Sequence, residues 1–443
     1  MQAIQVAAVT AMLIAPCSRA ADLLQVYREA RANDAVFTSA RATLEAGRER
    51  LTQGRALVLP TINLTGNSTF TDGEVRAATP NAVFGTRQFN TNAWTVTLNQ
   101  PLYRQGNWAQ YQQAEFQVAQ AEAQFGQAGQ DLVLRVAQAY FDVLASQDSL
   151  AFIQAQKNAI TEQLQQARRN FEVGTTTITD THEAQARFDL STSQEIAAQN
   201  DLEIRKRALQ QLIGRFPDAL TPVRSQLQLT APQPAVMETW VDTAQRQNFA
   251  VRVQEAALEI ASREVERNRA AHYPTLDLVG TIGSSSTTGS TGAGPAGSDI
   301  RSATIGLQLA LPIYAGGATN SRVREALALQ EKVRSDLENS RRQAALNARQ
   351  TYLGVTNGMA QVKALEQALI SSETALASNK LGYEVGVRIN IDVLNSQQQV
   401  FSTRRDMSRA RYDTLMNGLR LKASTGNLSE SDLEEVNRLL GSN

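Results

Sequence analysis

The 443-residue sequence contains little of what catalytic and metal sites are usually built from. It has one cysteine, Cys17, and two histidines, His182 and His272, which lie far apart in the chain. Because transition metals are held mostly by clustered Cys and His side chains, we expect no metal site. The phosphate-binding motif GxxxxGK[ST] is also absent, so no nucleotide cofactor is expected. These absences favour a protein that is not an enzyme and that uses no cofactor.

An excess of charge and long apolar runs are lacking too. The 43 basic residues balance the 43 acidic ones, which gives no electrostatic reason to expect nucleic acid as a partner. After the N-terminus no run of about 18 apolar residues occurs, so no transmembrane helix is predicted. Aromatic residues make up only 6% of the chain, whereas Ala, Gln and Arg are frequent over long stretches. This composition is typical of extended helices that pack through small side chains.

The first 20 residues have the features of a secretory signal peptide. Their apolar run ends in Ser18-Arg19-Ala20, which predicts cleavage before Ala21. No Lys or Arg precedes the apolar run, so a misassigned translation start stays open. The alternative is a lipoprotein signal acylated on Cys17, which Pro16 directly before it fits poorly. Cleavage before Ala21 would leave the mature chain without a thiol.

The sequence does contain an internal repeat, with copies about 212 residues apart. Glu172-Val173-Gly174 recurs as Glu384-Val385-Gly386, and Asp180 recurs as Asp392. A unit of this length is too long for a solenoid repeat, so one structural unit is used twice. The predicted divisions are a first repeat at 21–216 with a turn near 174, a Pro-rich linker at 217–235, a second repeat at 236–426 with a turn near 386, and a C-terminal tail at 427–443.

Each repeat predicts the same order of elements. Helical periodicity comes first, and Pro60 and Pro274 end it, because proline disfavours the α region for the residue before it. Alternation with period two follows, as where Ile62 and Leu64 lie on one face of a strand. We expect strands of about ten residues, joined by polar loops such as 283–299. The predicted first helices are 22–58 and 236–271, and the predicted β-hairpins are 60–104 and 274–314.

A very long helix and a shorter return helix follow each hairpin. The long helix would reach roughly 100 Å at 1.5 Å per residue. The Ala/Gln faces of these helices allow them to pack as a thin wall, and an ordinary coiled coil is the alternative. Ser431 and Glu434 predict the capping box of a short C-terminal helix. The predicted long helices are 106–172 and 318–385, and the predicted return helices are 178–213 and 390–424.

Four amphipathic strands per chain cannot span a bilayer alone. Open sheet edges would leave backbone groups unpaired in hydrocarbon, so the sheet must close into a barrel with identical copies. Two chains would give eight strands, whose interior is filled by side chains, so a pore favours at least three chains and twelve strands. A soluble β-hairpin domain on a coiled-coil stalk is the alternative.

The sequence resembles the TolC-type family of outer-membrane channel-tunnels, or outer membrane factors, over nearly its whole mature length. The resemblance is most specific in the repeated EVG-x5-D turns and in the segment PIYAGG at 312–317. It implies a mainly α fold with a transmembrane β-barrel, in which a homotrimer shares twelve strands in the outer membrane and continues as an α-helical tunnel into the periplasm. The linker 217–235 and the tail 427–443 would form an equatorial belt. The implied partners are outer-membrane lipid, a periplasmic adaptor (membrane fusion) protein and an inner-membrane ABC or proton-driven transporter.

The resemblance also implies site residues at the turns between long and return helices. Tyr383 and Arg388 take the positions of linking residues in a periplasmic gate, and Thr179 and Asp180 take those of their partners. The expected contacts are a Tyr383–Asp180 hydrogen bond and a contact from Arg388 to Thr179 or Asp180. Plain helix caps and surface pairs are the alternative, because a carboxylate favours any helix N-terminus.

Two further groups of residues follow from the same resemblance. Asp392 corresponds to a constriction aspartate, which forms a ring of three carboxylates in a trimer and attracts cations. Asn395 stands where the family has a second aspartate, so weaker block by multivalent cations is expected. The predicted adaptor-docking tip consists of Val173, Gly174, Val385 and Gly386.

The function that these observations favour is an exit duct for a tripartite system. Type I protein secretion is preferred because the acylation site of lipoprotein efflux ducts is not convincing here. A multidrug efflux duct is the alternative, and a non-conducting structural or adhesive trimer is a more distant one. The sequence does not identify the cargo.

Overall fold

A computed structural model describes residues 21–75, 85–217, 219–224, 229–291 and 294–441. The predicted signal peptide, with Cys17, lies outside the described residues. The chain divides into two compact units. The helical unit takes its residues from Met1–Ala40, Gly126–Asn248 and Arg341–Asn443, and the sheet unit takes its residues from Arg41–Phe125 and Phe249–Ser340.

The elements follow the repeated order that the sequence predicts. The helices are α1 (Leu23–Asn33), α2 (Ala35–Ala56), α3 (Gln105–Glu172), α4 (Ile178–Ile213), α5 (Met237–Gln247), α6 (Phe249–Arg269), α7 (Ala318–Glu384), α8 (Asn390–Ser424) and α9 (Glu430–Arg438). The strands are β1 (Thr61–Val75), β2 (Gly85–Tyr103), β3 (Thr275–Thr291) and β4 (Gly294–Ala310). The return helices α4 and α8 have the predicted bounds, and the long helices α3 and α7 differ from theirs by one residue at one end. In the described part of the chain, no helix is both long enough and apolar enough to cross a membrane.

The predictions of single helices at 22–58 and 236–271 are wrong, because each segment is broken once. Asp34 has extended backbone between α1 and α2, and its carboxylate accepts a hydrogen bond from the Phe37 N–H at 3.0 Å. Asn248 lies between α5 and α6, and its side-chain amide donates to the Ser424 carbonyl at 2.9 Å. Asp and Asn compete with helix geometry through such local and tertiary hydrogen bonds, while the apolar period continues across the break.

The four strands form one antiparallel sheet in the order β1-β2-β3-β4. They contain between 15 and 19 residues, so the predicted length of about ten is wrong. The polar segment predicted as a loop at 283–299 belongs largely to β3 and β4, where Ser286 pairs with Asp299. Gly, Ser and Thr residues carry little apolar alternation, but their backbone groups complete the ladder as well as any others.

One face of the sheet is apolar and the other is polar. Leu64 pairs with Val96, which pairs with Ile282, so these side chains form a row across three strands. Leu64 and Leu307 are 72% and 66% exposed. On the opposite face the hydroxyls of Thr281 and Thr304 lie 2.5 Å apart. Because monomeric soluble proteins rarely expose a contiguous apolar face of this kind, the sheet requires a covering of lipid or protein.

An ion pair connects the end of β2 to β3 within the sheet unit. The guanidinium of Arg104 donates two hydrogen bonds to the Asp277 carboxylate, at 2.8 and 2.6 Å. Asp277 is buried, and the register of β2 against β3 shifts between Pro101 and Tyr103. A bidentate pair of this geometry fixes the direction in which the chain leaves the sheet toward α3.

In the helical unit, the linker joins the two ends of the described chain. Leu220 pairs with Ala21, and Val223 pairs with Leu440. The repeated tyrosines of α3 and α7 also reach the linker: the Tyr140 hydroxyl donates to the Thr221 carbonyl at 2.8 Å, and the Tyr352 hydroxyl donates to the Ala235 carbonyl at 2.5 Å.

The C-terminal helix α9 is present, but its predicted capping box of Ser431 and Glu434 is wrong. The box consists of Ser429 and Asp432, two residues earlier. Asp432 accepts a hydrogen bond from the Ser429 backbone N–H at 2.7 Å and pairs with Lys422 at 2.6 Å. This tertiary ion pair with α8 favours the earlier start.

Candidate functional site

The two turns between long and return helices have the same backbone. Gly174 and Gly386 have φ angles of 76° and 77°, in the left-handed region that only glycine enters without strain. In each turn the glycine N–H bonds the carbonyl three residues back, on Phe171 at 3.0 Å and on Tyr383 at 3.1 Å. These bonds satisfy one of the last carbonyls of each long helix, α3 and α7. The positive φ angle at this position is what requires glycine.

Apolar side chains are exposed at both turns. Val173 is 73% exposed and Val385 is 65% exposed, and Val387 beside the second turn is more exposed still. Both predicted tip pairs, Val173 with Gly174 and Val385 with Gly386, therefore lie on the surface of this chain. Valines in such positions leave apolar area accessible to a partner.

The first predicted gate pair lies at the start of α4. Asp180 and Thr177 form a capping box, in which the Asp180 carboxylate accepts from the Thr177 N–H at 3.4 Å and the Thr177 hydroxyl accepts from the Asp180 N–H at 3.4 Å. Thr179 is exposed beside them. The carboxylate of Asp180 thus has a structural role at the helix N-terminus, and its second oxygen can accept further bonds.

The second predicted gate pair lies on both sides of the second turn. Tyr383, in the last turn of α7, is half-buried, and Arg388 is exposed. A 3.6 Å ion pair joins Arg388 to Asp392, one turn into α8. Across the described residues, no hydrogen bond within this one chain joins Tyr383 or Arg388 to Thr179 or Asp180.

The predicted constriction residues differ in their partners. Asp392 is partly exposed and faces Arg388. Asn395 is exposed on the next turn of α8, where its side-chain oxygen accepts a hydrogen bond from Arg187 of α4 at 2.9 Å. The other terminal nitrogen of Arg187 donates to the Gln398 side-chain oxygen at 2.7 Å.

Sequence reasoning missed Arg187. Its position contained a usable signal, because it lies seven residues after Asp180 and therefore on the same face of α4 two turns along. The sequence alone could not show that α8 lies opposite that face.

Nearby, the buried face of α8 contains polar groups without partners. Asn390 and Gln397 are each 4% exposed. Within the described ranges, neither the Asn390 side-chain nitrogen nor the Gln397 side-chain oxygen has a hydrogen-bond partner. Unpaired buried polar groups cost about 1–3 kcal/mol each, so this stretch packs less favourably than an apolar one would.

Further along α8, a polar cluster ties the helix to α3. Asp148 accepts hydrogen bonds from the hydroxyls of Ser408 and of Tyr412, the latter at 2.8 Å. The rings of Phe141 and Tyr412 stack with their centroids 5.7 Å apart. Burial raises the pKa of Tyr412, and the nearby Asp148 carboxylate raises it further, so the hydroxyl remains a donor.

No metal centre emerges in the part of the chain that the structure describes: no group of three or more His, Cys, Asp or Glu side chains is arranged to hold an ion. The polar clusters at the turns pair through hydrogen bonds and ion pairs. The described side chains at the turns thus connect helices through packing, hydrogen bonds and ion pairs.

Comparisons with known proteins agree with the repeated architecture. A family model described as outer membrane efflux protein matches residues 26–215 and 240–427, which correspond to the two repeats. The alkaline protease secretion protein AprF of Pseudomonas aeruginosa is 32% identical over 423 residues, which covers 94% of this chain and 86% of AprF. The outer membrane protein TolC of Vibrio cholerae is 30% identical over 418 residues, which covers 94% of this chain and 93% of TolC.

The fold is shared with solved structures at lower identity. The outer membrane protein VceC from Vibrio cholerae matches with a TM-score of 0.78 at 19% identity, which covers 91% of this chain and 96% of VceC. At this identity the similarity concerns the arrangement of helices and strands alone.

Proposed function

The chain belongs to the outer membrane efflux protein family, and from this membership we propose that it forms a homotrimeric exit duct for type I protein secretion. Proteins of this family are transport channels of the outer membrane that extend into the periplasm, and this chain is one of them. The number of subunits, the transport system and the roles of individual residues belong to the proposal.

The observation that carries the proposal is the sheet with its two open edges. In the described chain, β1 and β4 each pair with a neighbouring strand on one side. A membrane-embedded sheet must close on itself, because hydrocarbon offers no partners for backbone groups. Three copies would supply twelve strands, enough for an interior wider than the side chains that line it. The exposed apolar face would contact lipid, and the Thr-rich face would line the pore.

The proposal includes a gate at the helical turns. In the closed assembly, Tyr383 would contact Asp180 and Arg388 would contact Thr179 or Asp180, between neighbouring hairpins or neighbouring copies. Two observations support these contacts. Thr179 is exposed, and the ion pair between one guanidinium nitrogen of Arg388 and the Asp392 carboxylate is long, at 3.6 Å. Charge-assisted contacts of this kind are worth roughly 1.5–3 kcal/mol when well formed, which is enough to hold a gate and weak enough to be released.

The proposal also assigns a constriction and a docking tip. Three copies of Asp392 would form a carboxylate ring that favours cations, and Asn395 would leave the next turn neutral. A periplasmic adaptor that connects the duct to an inner-membrane transporter would bind at the exposed turns. Its contacts there would be Val173 and Gly174 of the first turn and Val385 and Gly386 of the second.

Type I secretion is preferred over multidrug efflux as the transport system. The relative AprF is named for alkaline protease secretion and covers most of the chain at 32% identity. The alternative of acylation on Cys17, which lipoprotein efflux ducts would require, fits the sequence poorly because Pro16 directly precedes the cysteine. The cargo would then be a protein, delivered by an inner-membrane ABC transporter.

Purified protein in planar lipid bilayers tests the duct. We expect a detergent-stable trimer that conducts ions, and we expect Tyr383→Phe combined with Arg388→Ser to raise the single-channel conductance. A folded monomer without conductance would contradict the duct, and an unaltered conductance of the double variant would contradict the gate.

The preference for secretion needs a separate assay in cells. The chain would replace the outer-membrane component in a strain that secretes a protease through an ABC transporter, and in a strain that exports drugs through a proton-driven pump. Restored protease secretion without restored drug resistance is expected. The opposite result would favour the efflux duct.

A further inference from the structure

The return helix α8 is held to the first repeat differently at its two ends. Toward its C-terminal half, Tyr412 is buried, stacks on Phe141 and donates to Asp148 at 2.8 Å. These contacts combine a ring stack with a hydrogen bond shielded from water, so they fix this half of α8 against α3.

Near the turn, α8 has weaker support from its own buried face. Asn390 and Gln397 bury polar atoms that have no hydrogen-bond partner among the described residues. Such groups recover hydrogen bonds to water when the helix moves away from its neighbours, so the packing of this segment resists displacement less than an apolar interface would.

We propose that Arg187 is a latch that holds the turn-proximal part of α8 against α4 and thereby keeps the proposed gate closed. Its guanidinium donates to Asn395 at 2.9 Å and to Gln398 at 2.7 Å. The two acceptors lie on successive turns of one face of α8, and the planar fork of an arginine can reach both at once. This inference rests on the proposed channel function, because a latch has meaning only for a helix that moves.

The chemistry of the contact suits a bond that must break. Both acceptors are neutral and exposed, and Arg187 is half-buried. A carboxylate at position 395 would give a stronger pair than the amide that is present. The equivalent residue in the second repeat is Gln399, so the repeated helix does not itself require an arginine at this position.

The chain offers a matched control. Arg168 of α3 donates to Gln185 of α4 at 2.6 Å, so it is also an arginine bonded to a side-chain amide near the turns. This bond connects two helices of the same hairpin and does not reach α8. Losing it should weaken the hairpin without releasing the second repeat.

The first test compares Arg187→Met with Arg168→Met in planar bilayers. We expect Arg187→Met to raise the open fraction of the channel by roughly two- to tenfold, the range for losing exposed charge-assisted hydrogen bonds. Arg168→Met should conduct as the wild type does, and the two variants should melt at similar temperatures. Equal open fractions of the two variants, with a wild type that conducts, would overturn the latch and leave the channel function intact. A wild type that does not conduct would overturn the channel and the latch together.

A second test replaces the proposed latch with a covalent link between the two helices. After Cys17 the sequence contains no cysteine, so Arg187→Cys with Gln398→Cys places the only two thiols in the predicted mature chain. A short bismaleimide between them would fasten α4 to α8. We expect the fastened channel to stay closed even with Tyr383→Phe and Arg388→Ser present. If it opens as readily as the same variant without the linker, α4 and α8 do not separate on opening and the proposal is wrong.

Discussion

At the scale of single residues, substitutions of Asp392 and Asn395 should change in opposite directions how strongly the proposed channel attracts cations. In the proposed trimer, a ring of three Asp392 carboxylates would attract cations, so Asp392→Ala should lower the cation-to-anion permeability ratio by roughly fivefold, which corresponds to about 1 kcal/mol of attraction in water. Reversal potentials in a salt gradient measure this ratio. An unchanged ratio would show that Asp392 is not at the constriction.

The reciprocal change at Asn395 depends on its neighbour. Asn395→Asp should strengthen block by multivalent cations, but Arg187 lies within hydrogen-bond distance and would offset part of the new charge. The full increase in block should therefore require Arg187→Met as well. Recordings with a trivalent cation distinguish the single variant from the double one.

Asp34 makes a prediction about pH. Burial acts to raise the pKa of its carboxyl, but hydrogen bonds from Arg135 and the Phe37 N–H outweigh burial and lower the pKa below its usual value. The ionised group therefore stabilises the fold above the unfolded-state pKa of about 3.9, and this contribution is lost as pH falls through the folded-state pKa. Asp34→Asn keeps the helix cap and removes the ion pair with Arg135, so it should lower stability at pH 7 by about 1 kcal/mol.

Thermal unfolding at several pH values checks this prediction. The difference between Asp34→Asn and the wild type should shrink as the pH falls below about 4. Glu203→Gln, which removes an exposed pair with Arg207 on α4, is the control and should have little effect at any pH. A difference for Asp34→Asn that is constant across pH would exclude the carboxylate as its cause.

At the scale of elements, the long and return helices could be predicted almost to the residue. Their ends are marked by local features, such as Gly174, Gly386 and the residues that follow them, and local features are readable in one sequence. The break at Asn248 was not predicted, because its side-chain amide bonds a carbonyl of another helix. The break at Asp34 was missed although its bond to the Phe37 N–H is local, because the apolar period continues across it. The contact of Arg187 with α8 is likewise tertiary.

The strands show a different limit. Apolar alternation identified the half of each hairpin that adjoins the helices, while the Ser- and Thr-rich remainder of β3 carries the same backbone ladder with hardly any alternation. Alternation in the sequence reveals a strand only where one of its faces is apolar. The predicted strand therefore ends where the apolar residues end, although the hydrogen-bonded strand continues.

The tyrosines that hold the linker make a prediction about element packing. Tyr140→Phe would remove the 2.8 Å hydrogen bond that the hydroxyl of the buried Tyr140 donates to the Thr221 carbonyl, so it should lower the free energy of unfolding by about 1–3 kcal/mol. Tyr352→Phe removes the equivalent bond to Ala235 at an exposed position and should cost less than about 1 kcal/mol. Denaturant titrations of both variants in detergent measure the difference. Equal losses would show that burial of the Tyr140 bond is not what matters.

At the scale of the whole molecule, duplication gives the chain two hairpins and two pairs of long helices, but it does not close the sheet. The described sheet ends at β1 on one side and at β4 on the other. In the proposed duct, further hairpins would come from further copies of the chain, and assembly would then be a condition for insertion into the membrane.

Substitutions on the two faces of β4 would test whether the sheet lies in a membrane. Leu307 lies on the apolar face opposite Leu278, and Ser302 lies on the polar face opposite Gly283. Leu307→Arg would place a charge against lipid, at a cost of about 2–4 kcal/mol per chain near the bilayer midplane, and three copies would multiply it. We expect this variant to be lost from the outer-membrane fraction, as measured by heat-modifiable migration of trimers.

Ser302→Arg is the matched change on the other face. If that face lines a water-filled pore, the arginine remains hydrated, trimers form in wild-type amounts, and the three added charges shift the permeability ratio toward anions. Both variants introduce an arginine into β4, so a difference in trimer assembly between them reports on the face of the sheet that carries the arginine. Equal assembly of Leu307→Arg and Ser302→Arg would mean that the apolar face is covered by protein, and the sheet would then not be the wall of a membrane pore.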